Sequence, residues 1–121
     1  MKKVNLIFAA FFLLESFTTN AQTEHKDYFV GKWDVIASGT PGGDSKLMVT
    51  LFRKDGTLTG AVYSKSDGTK EIKKVEEKGN SLKVSFNHGW FTVELFMNKK
   101  DENHVAGNLA NKYKSSGVRL N

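Results

Sequence analysis

Three histidines are the residues of this chain whose chemistry could serve metal binding or proton transfer: His25, His88 and His104. Their spacing matches neither a His-x-His nor a His-Glu-x-x-His pattern, and cysteine is absent, so no zinc-ligand set is indicated. Because turns alternate between the two ends of a meander sheet, His88 and His104 fall at opposite ends of the predicted fold. We therefore expect no metal and no cofactor. A haem held by a single histidine is the alternative that the spacing leaves open.

The carboxylates are arranged no better for acid–base catalysis, which needs an acid or base that faces the interior. Glu94 alternates with the apolar residues Val93 and Leu95, so its side chain is predicted to point outward. Asp34 is likewise predicted to point outward. The glycine-rich stretch Gly39–Gly43 lacks both the Lys-Ser/Thr pair and the helix of a phosphate-binding loop. We therefore predict no catalytic residues and no enzyme activity.

Turn-forming pairs recur along the chain at intervals of about 8 to 12 residues, as in an all-β sandwich or barrel. Asp55-Gly56, Asp67-Gly68 and Gly79-Asn80 supply the positive φ angles that tight hairpins need. Hairpin neighbours in series form a meander, so we predict an all-β fold: one up-and-down antiparallel barrel of about eight strands. The predicted strands are Gly31–Ser38, Ser45–Lys54, Thr57–Ser64, Thr69–Lys78, Ser81–Asn87, Trp90–Asn98, His104–Ala110 and Tyr113–Leu120.

The N-terminal residues have the pattern of a secretion signal. Lys2 and Lys3 precede the stretch 4–14, which is apolar except for Asn5. This stretch is about half of the roughly 20 residues that span a bilayer, so a retained membrane anchor is only the alternative. Cleavage is expected between Ala21 and Gln22, which leaves 100 residues and a net charge of +4. We predict a signal peptide at 1–21, an N-terminal lead-in at 22–30 and one barrel domain at 31–121.

Export and composition limit the partners. Without cysteine the exported chain carries no lipid anchor at a cleaved signal, so we expect a periplasmic or extracellular protein with no transmembrane segment. The lysines are scattered and are not interleaved with stacking aromatics, which argues against nucleic acid as a partner. We assign them to turns and outer strand faces. The scattered lysines are Lys65, Lys70, Lys73, Lys74, Lys78, Lys83, Lys99, Lys100, Lys112 and Lys114.

The segment Tyr28-Phe29-Val30-Gly31-Lys32-Trp33 places a Gly-x-Trp at the start of the first predicted strand, and Arg119 lies in the last one. This combination resembles the calycin superfamily, and in particular the compact lipocalin-like domains exported by Bacteroidetes-type bacteria. The resemblance implies that Trp33 packs across the closed end of the barrel and that Arg119 stacks against it as a structural clamp. The stretch Gly39–Asp44 is too short for the helix pair of fatty-acid-binding proteins.

If Trp33 marks the closed end, hairpin alternation places the loop Gly39–Asp44 and the turns at 66–68, 87–90 and 110–112 at the other end, here called the open end. Phe86, His88, Trp90 and Phe91 are then predicted to converge at this open end. Aromatic side chains beside a loop suit a small hydrophobic or amphiphilic molecule. The four residues are therefore the predicted ligand-binding site.

Two functions remain open at this stage. The resemblance favours an exported binding module with a small molecule at the open end. The short chain favours a lumen filled by side chains, with Trp90 as a plug; such a barrel would act through its surface, as an interaction or inhibitor module on a protein partner of the envelope or cell surface. A cavity at the open end distinguishes the two. The sequence does not indicate an oligomeric state.

Overall fold

The computed structural model describes residues 27–120, and eight strands cover nearly all of this range. The predicted signal peptide, its cleavage site after Ala21, and His25 lie outside the described residues. The strands are β1 (Gly31–Thr40), β2 (Gly43–Lys54), β3 (Thr57–Ser64), β4 (Gly68–Lys78), β5 (Ser81–His88), β6 (Phe91–Asp101), β7 (His104–Leu109) and β8 (Tyr113–Leu120).

Each strand pairs antiparallel with the next one in sequence, and β1 pairs with β8 to close the barrel. The predicted all-β meander of eight strands is therefore confirmed, with β3 and β8 at the predicted bounds. Closure leaves no unpaired sheet edge. Between residues 27 and 120 no helix is present that is long and apolar enough to cross a bilayer.

The first hairpin differs from the prediction. The sequence predicts a loop over Gly39–Asp44, but β1 continues to Thr40 and β2 begins at Gly43, so only Pro41 and Gly42 form the turn. Thr40 pairs directly with Gly43, after a register shift that follows Ala37. Between Ala37 and Thr40, β1 has one residue more than the facing part of β2, as in a β-bulge. Both strands therefore continue through a stretch that composition alone predicts to be a loop.

A bulge in β4 preserves the alternation of the lumen-facing side chains. Ile72 and Val75 are three residues apart, and this spacing predicts a bulge between them. The register shifts between Ile72 and Lys74, so that Ile72 pairs with Phe86 and Val75 pairs with Val84. The bulge is therefore confirmed, and it returns both apolar residues to the inner face of the barrel.

The core is centred on the half of the barrel nearer to Trp33 and extends to Leu47, Val62 and Phe86 toward the other end. Alternate residues of the strands point inward, and the largest fully buried side chains are Trp33, Leu51, Leu82, Leu95 and Met97. Two lead-in residues, Tyr28 and Phe29, close this end and are 8% and 6% exposed. Tyr28 and Phe29 are thus part of the hydrophobic core, and this half of the lumen is filled.

Candidate functional site: the mouth cavity and the cluster that closes the other end

The Arg119 guanidinium closes the filled end of the barrel by stacking on two aromatic rings. Its central carbon lies 4.4 Å from the centre of the Trp33 ring and 4.9 Å from that of Tyr28. The β1–β8 register pairs Trp33 with Arg119, so the two side chains leave the sheet on the same face. The geometry is that of a cation–π contact.

Hydrogen bonds fix the same guanidinium against the lead-in. Arg119 donates from Nη2 to the Tyr28 carbonyl at 2.8 Å and from Nη1 to the Val30 carbonyl at 3.2 Å. The Trp33 indole donates to the Phe29 carbonyl at 3.0 Å. These carbonyls have no strand partner, so the two side chains satisfy backbone groups that would otherwise be left unpaired near the core. These contacts fix residues 28–30 to the end of the barrel.

The remaining polar groups of the closed end also tie the lead-in and the turns together. The Tyr28 hydroxyl donates to the Asp101 carbonyl at the end of β6, and burial raises the pKa of Tyr28. Arg53 contacts Asp27 and Glu77, each at 2.9 Å, and these hydrogen bonds raise the pKa of the arginine.

His104 is also at this end, with Nδ1 2.8 Å from an Asp101 carboxylate oxygen. The hydrogen bond to His104 lowers the pKa of Asp101. Within residues 27–120 no group of three or more histidine and carboxylate side chains is close enough to hold a metal ion.

The open end holds a cavity of about 920 Å³, hereafter the mouth cavity. Each of the eight strands contributes at least one residue to its lining, and Pro41 and Gly42 of the β1–β2 turn stand at its rim. The apolar residues of its floor and walls are Leu47, Val62, Phe86, Phe91, Val93 and Leu109, and Tyr113 lies beside them.

Charged side chains stand at the rim of the cavity and contact each other. The Asp67 carboxylate lies 3.2 Å from Nδ1 of His88 and 3.9 Å from Nζ of Lys70. The Asp67 side chain is 23% exposed, less than either partner. Lys46 and Lys65 also line this rim. The cavity therefore combines an apolar interior with a polar, mainly cationic rim.

Three of the four predicted ligand-binding residues line the mouth cavity: Phe86, His88 and Phe91. Phe86 is buried in the floor, whereas Phe91 is 72% exposed at the rim. Trp90 differs from the expectation, because it occupies the hairpin turn between His88 and Phe91, does not line the cavity, and is 97% exposed. Because Trp90 lies in the turn, its side chain projects from the end of the hairpin into solvent and not into the lumen. Trp90 therefore does not plug the barrel.

Lys70 is a cavity residue that its sequence pattern was expected to place on an outer face or in a turn, and Asp67 joins it from the turn at 66–68, which was predicted at this end. Lys70 pairs with Val62, whose side chain is buried in the lumen, and antiparallel partners point to the same face. The sequence indicates this inward orientation of Lys70, because Lys70 and the inward-facing Ile72 are two residues apart and alternate residues of a strand share a face. The prediction that the lysines occupy outer faces and turns is wrong for Lys70.

No protein-family model matches the chain, and neither a curated protein nor a solved structure is significantly similar to it. The closed eight-stranded antiparallel barrel is consistent with a lipocalin-like fold. Membership of the calycin superfamily is not confirmed by any family match, so the architecture and the geometry of the mouth cavity are what bear on function.

Proposed function

We propose that this chain is an exported binding protein, not an enzyme, that holds one small hydrophobic or amphiphilic molecule in the mouth cavity. The observation that carries the proposal is the cavity itself, which measures about 920 Å³ and has an apolar floor under a polar rim. Pockets for small molecules are typically about 300–1,000 Å³, mostly apolar, with a few placed polar groups. Export rests on the signal pattern of residues 1–21.

The lining suggests how a ligand would be oriented. Its apolar part would contact Phe86 and Val93 in the floor and walls, where burial of apolar surface is favourable. Its polar part would face Lys70 and His88 at the rim, where water also reaches. Because Asp67 already lies beside both of these groups, the rim accommodates a neutral polar group as well as an acidic one.

The alternative, a filled barrel that acts through its surface, needs side chains in the volume that the described residues leave open. Its remaining support would be Met48, Phe52 and Tyr63, which are 38%, 47% and 48% exposed on the outer wall. Apolar side chains exposed to this degree are ordinary on soluble proteins. The cavity therefore favours the binding module.

A cavity-filling variant tests the proposal. Val93 points into the cavity from β6, so Val93→Trp should occupy the ligand volume, whereas the neighbouring Thr92→Trp points outward and is the matched control. Isothermal titration calorimetry with lauric, oleic and cholic acid should show one molecule bound to the wild type. Val93→Trp should weaken binding on the order of tenfold or more because the new ring clashes with the ligand.

Thr92→Trp should bind within about twofold of the wild type, since its new side chain lies outside the lumen. Circular dichroism should show both variants folded. Absence of binding by the wild type to every amphiphile, or undiminished binding by a folded Val93→Trp, would reject the cavity as a ligand site.

A further inference from the structure

The tip of the β5–β6 hairpin presents two aromatic side chains to solvent, Trp90 and Phe91, hereafter the aromatic tip. Trp90 is 97% exposed and Phe91 is 72% exposed. A side chain that buries so little contributes almost no packing to the fold. The fold therefore gives no reason for a tryptophan at this position, and a partner that covers it would.

Positive charge surrounds the aromatic tip. The residues that line the mouth cavity include three lysines and two aspartates, and the β7–β8 hairpin adds two lysines and no carboxylate. Lys65 and Lys46 line the cavity rim, and Lys112 and Lys114 stand at the β7–β8 hairpin and are exposed. At least one exposed lysine thus occurs in three of the four open-end hairpins. The fourth carries the aromatic tip.

We propose that the aromatic tip and the open-end lysines dock this protein on an anionic lipid surface, with the mouth cavity facing the membrane. Tryptophan is enriched at membrane–water interfaces, where an amphipathic ring is stable. Lysines near a surface of anionic lipid are attracted to it. Both features occur at the same end of the barrel and around the same opening.

A lipid surface fits this end better than a protein does. A stable protein interface buries about 800 Å² on each partner, usually around a packed centre. Two side chains on a convex hairpin supply far less area, whereas insertion at a membrane interface requires only a small apolar surface assisted by charge. Phe91 belongs both to the aromatic tip and to the cavity wall, so a docked barrel would open directly onto the lipids.

Docking stands independently of the ligand, whereas transfer of an amphiphile between membrane and cavity rests on the proposed function. Co-sedimentation with vesicles tests docking. The full chain is expressed, the exported form is purified, and its intact mass establishes the N-terminus, so that all variants are compared in the same form. The vesicles contain phosphatidylcholine alone or phosphatidylcholine with phosphatidylglycerol.

The wild type should bind the anionic vesicles more tightly than the neutral ones, and high salt should weaken this binding because it screens surface charge. Trp90 emission should shift to shorter wavelength on binding, while Trp33, which is fully buried, should not respond. Trp90→Ala should weaken binding on the order of tenfold. Replacing Lys112 and Lys114 by glutamine should weaken binding roughly fivefold for each lysine.

Two control variants address the same chemistry elsewhere on the barrel. Phe52→Ala removes an exposed aromatic ring from the outer wall, and Lys100→Gln removes an exposed lysine from the closed end. Both should leave vesicle binding unchanged. Lack of vesicle binding by the wild type, or equal losses in Trp90→Ala and Phe52→Ala, would overturn the proposal and would leave the aromatic tip to a protein contact.

The same variants separate docking from ligand binding. Without vesicles, Trp90→Ala should bind lauric acid as the wild type does, because Trp90 does not line the cavity. Val93→Trp should lose lauric acid but retain vesicle binding. If none of the three amphiphiles binds while vesicles do, the proposed function fails and docking stands; the reverse result rejects docking alone.

Discussion

A single side chain, Arg119, joins the last strand, β8, to residues 28–30 at the closed end. It stacks on Trp33 and Tyr28 and donates hydrogen bonds to the carbonyls of Tyr28 and Val30. The chain contains one other arginine, Arg53, which pairs with Asp27 and Glu77 at a more exposed position. The two arginines therefore allow a stacked guanidinium to be compared with one that makes surface ion pairs and no aromatic stacking contact among residues 27–120.

A double-mutant cycle should measure the stacking of Arg119 on Trp33. Trp33→Ala is expected to cost roughly 3–5 kcal/mol as a large-to-small core change. Arg119→Ala should cost about 2 kcal/mol, because charged hydrogen bonds to backbone carbonyls are lost. The two losses should be non-additive by about 0.5–2 kcal/mol, measured by urea unfolding.

The control for this cycle is Arg53→Ala combined with Trp33→Ala, whose effects should simply add. Additive losses for Arg119 and Trp33 as well would mean that the stacking contributes nothing measurable. If Trp33→Ala is too unstable to study, Trp33→Phe and Arg119→Gln give a milder cycle with the same expected sign.

At the scale of the strands, the alternation of side chains was predictable and the strand ends were not. Period-two patterning assigns an inner and an outer face to each strand, and it identifies Val84, Phe86 and Leu95 as lumen residues from sequence alone. The ends depend on what the partner strand offers, as the pairing of Thr40 with Gly43 shows. Trp90 was misplaced for the same reason, since one residue decides whether a side chain belongs to a strand or to its turn.

Gly60, inside β3, permits an approach of two backbones that a residue with a Cβ would prevent. Gly60 has φ of +155°, and a Cβ built on it would lie 1.8 Å from the Thr50 carbonyl oxygen of β2. Alanine at this position would force the β2 and β3 backbones apart. The sequence pattern assigns Gly60 to the inner face but gives no indication of this contact, because the contact depends on the approach of two backbones.

A series of three glycine variants should separate steric crowding from backbone strain. Gly60→Ala is expected to cost about 3 kcal/mol or more, because both effects act. Gly39→Ala has φ of +77° and no atom within 4 Å, so it should cost only about 1 kcal/mol, from strain. Gly42→Ala has open space and no positive φ, and should be nearly neutral. Urea unfolding of all three checks the order, and a mild Gly60→Ala would contradict it.

For the molecule as a whole, the two ends of the barrel differ in packing. The half near Trp33 contains the largest fully buried side chains, whereas the open end encloses the mouth cavity of about 920 Å³. Sequence patterning predicted the barrel and the positions of its ends. It did not decide between a filled and an open lumen, because that outcome depends on how the barrel radius, set by strand number and stagger, compares with the volume of the inward side chains.

This asymmetry predicts unequal local stability along each strand. Backbone hydrogen bonds near Leu82, Met97 and Val105 are backed by a packed core, so their amides should open only when the whole domain unfolds. Amides of the same sheet near Phe86 and Val93 border the cavity and should exchange on the order of tenfold faster or more. Hydrogen–deuterium exchange resolved by residue can measure this difference in the free protein.

Addition of an amphiphile that binds, such as lauric acid, should reduce the difference in amide exchange between the two ends. The reduction should come from slower exchange at the open end. A ligand in the mouth cavity replaces the missing packing at the open end, so amides near Phe86 and Val93 should gain protection, and the already protected amides near Leu82 should gain only through the rise in global stability. Trp90→Ala should show the same change in amide protection when the amphiphile is added, because the Trp90 side chain lies outside the cavity. Equal protection of both ends in the free protein would contradict the predicted difference in local stability. A ligand effect centred on the closed end would contradict binding in the mouth cavity.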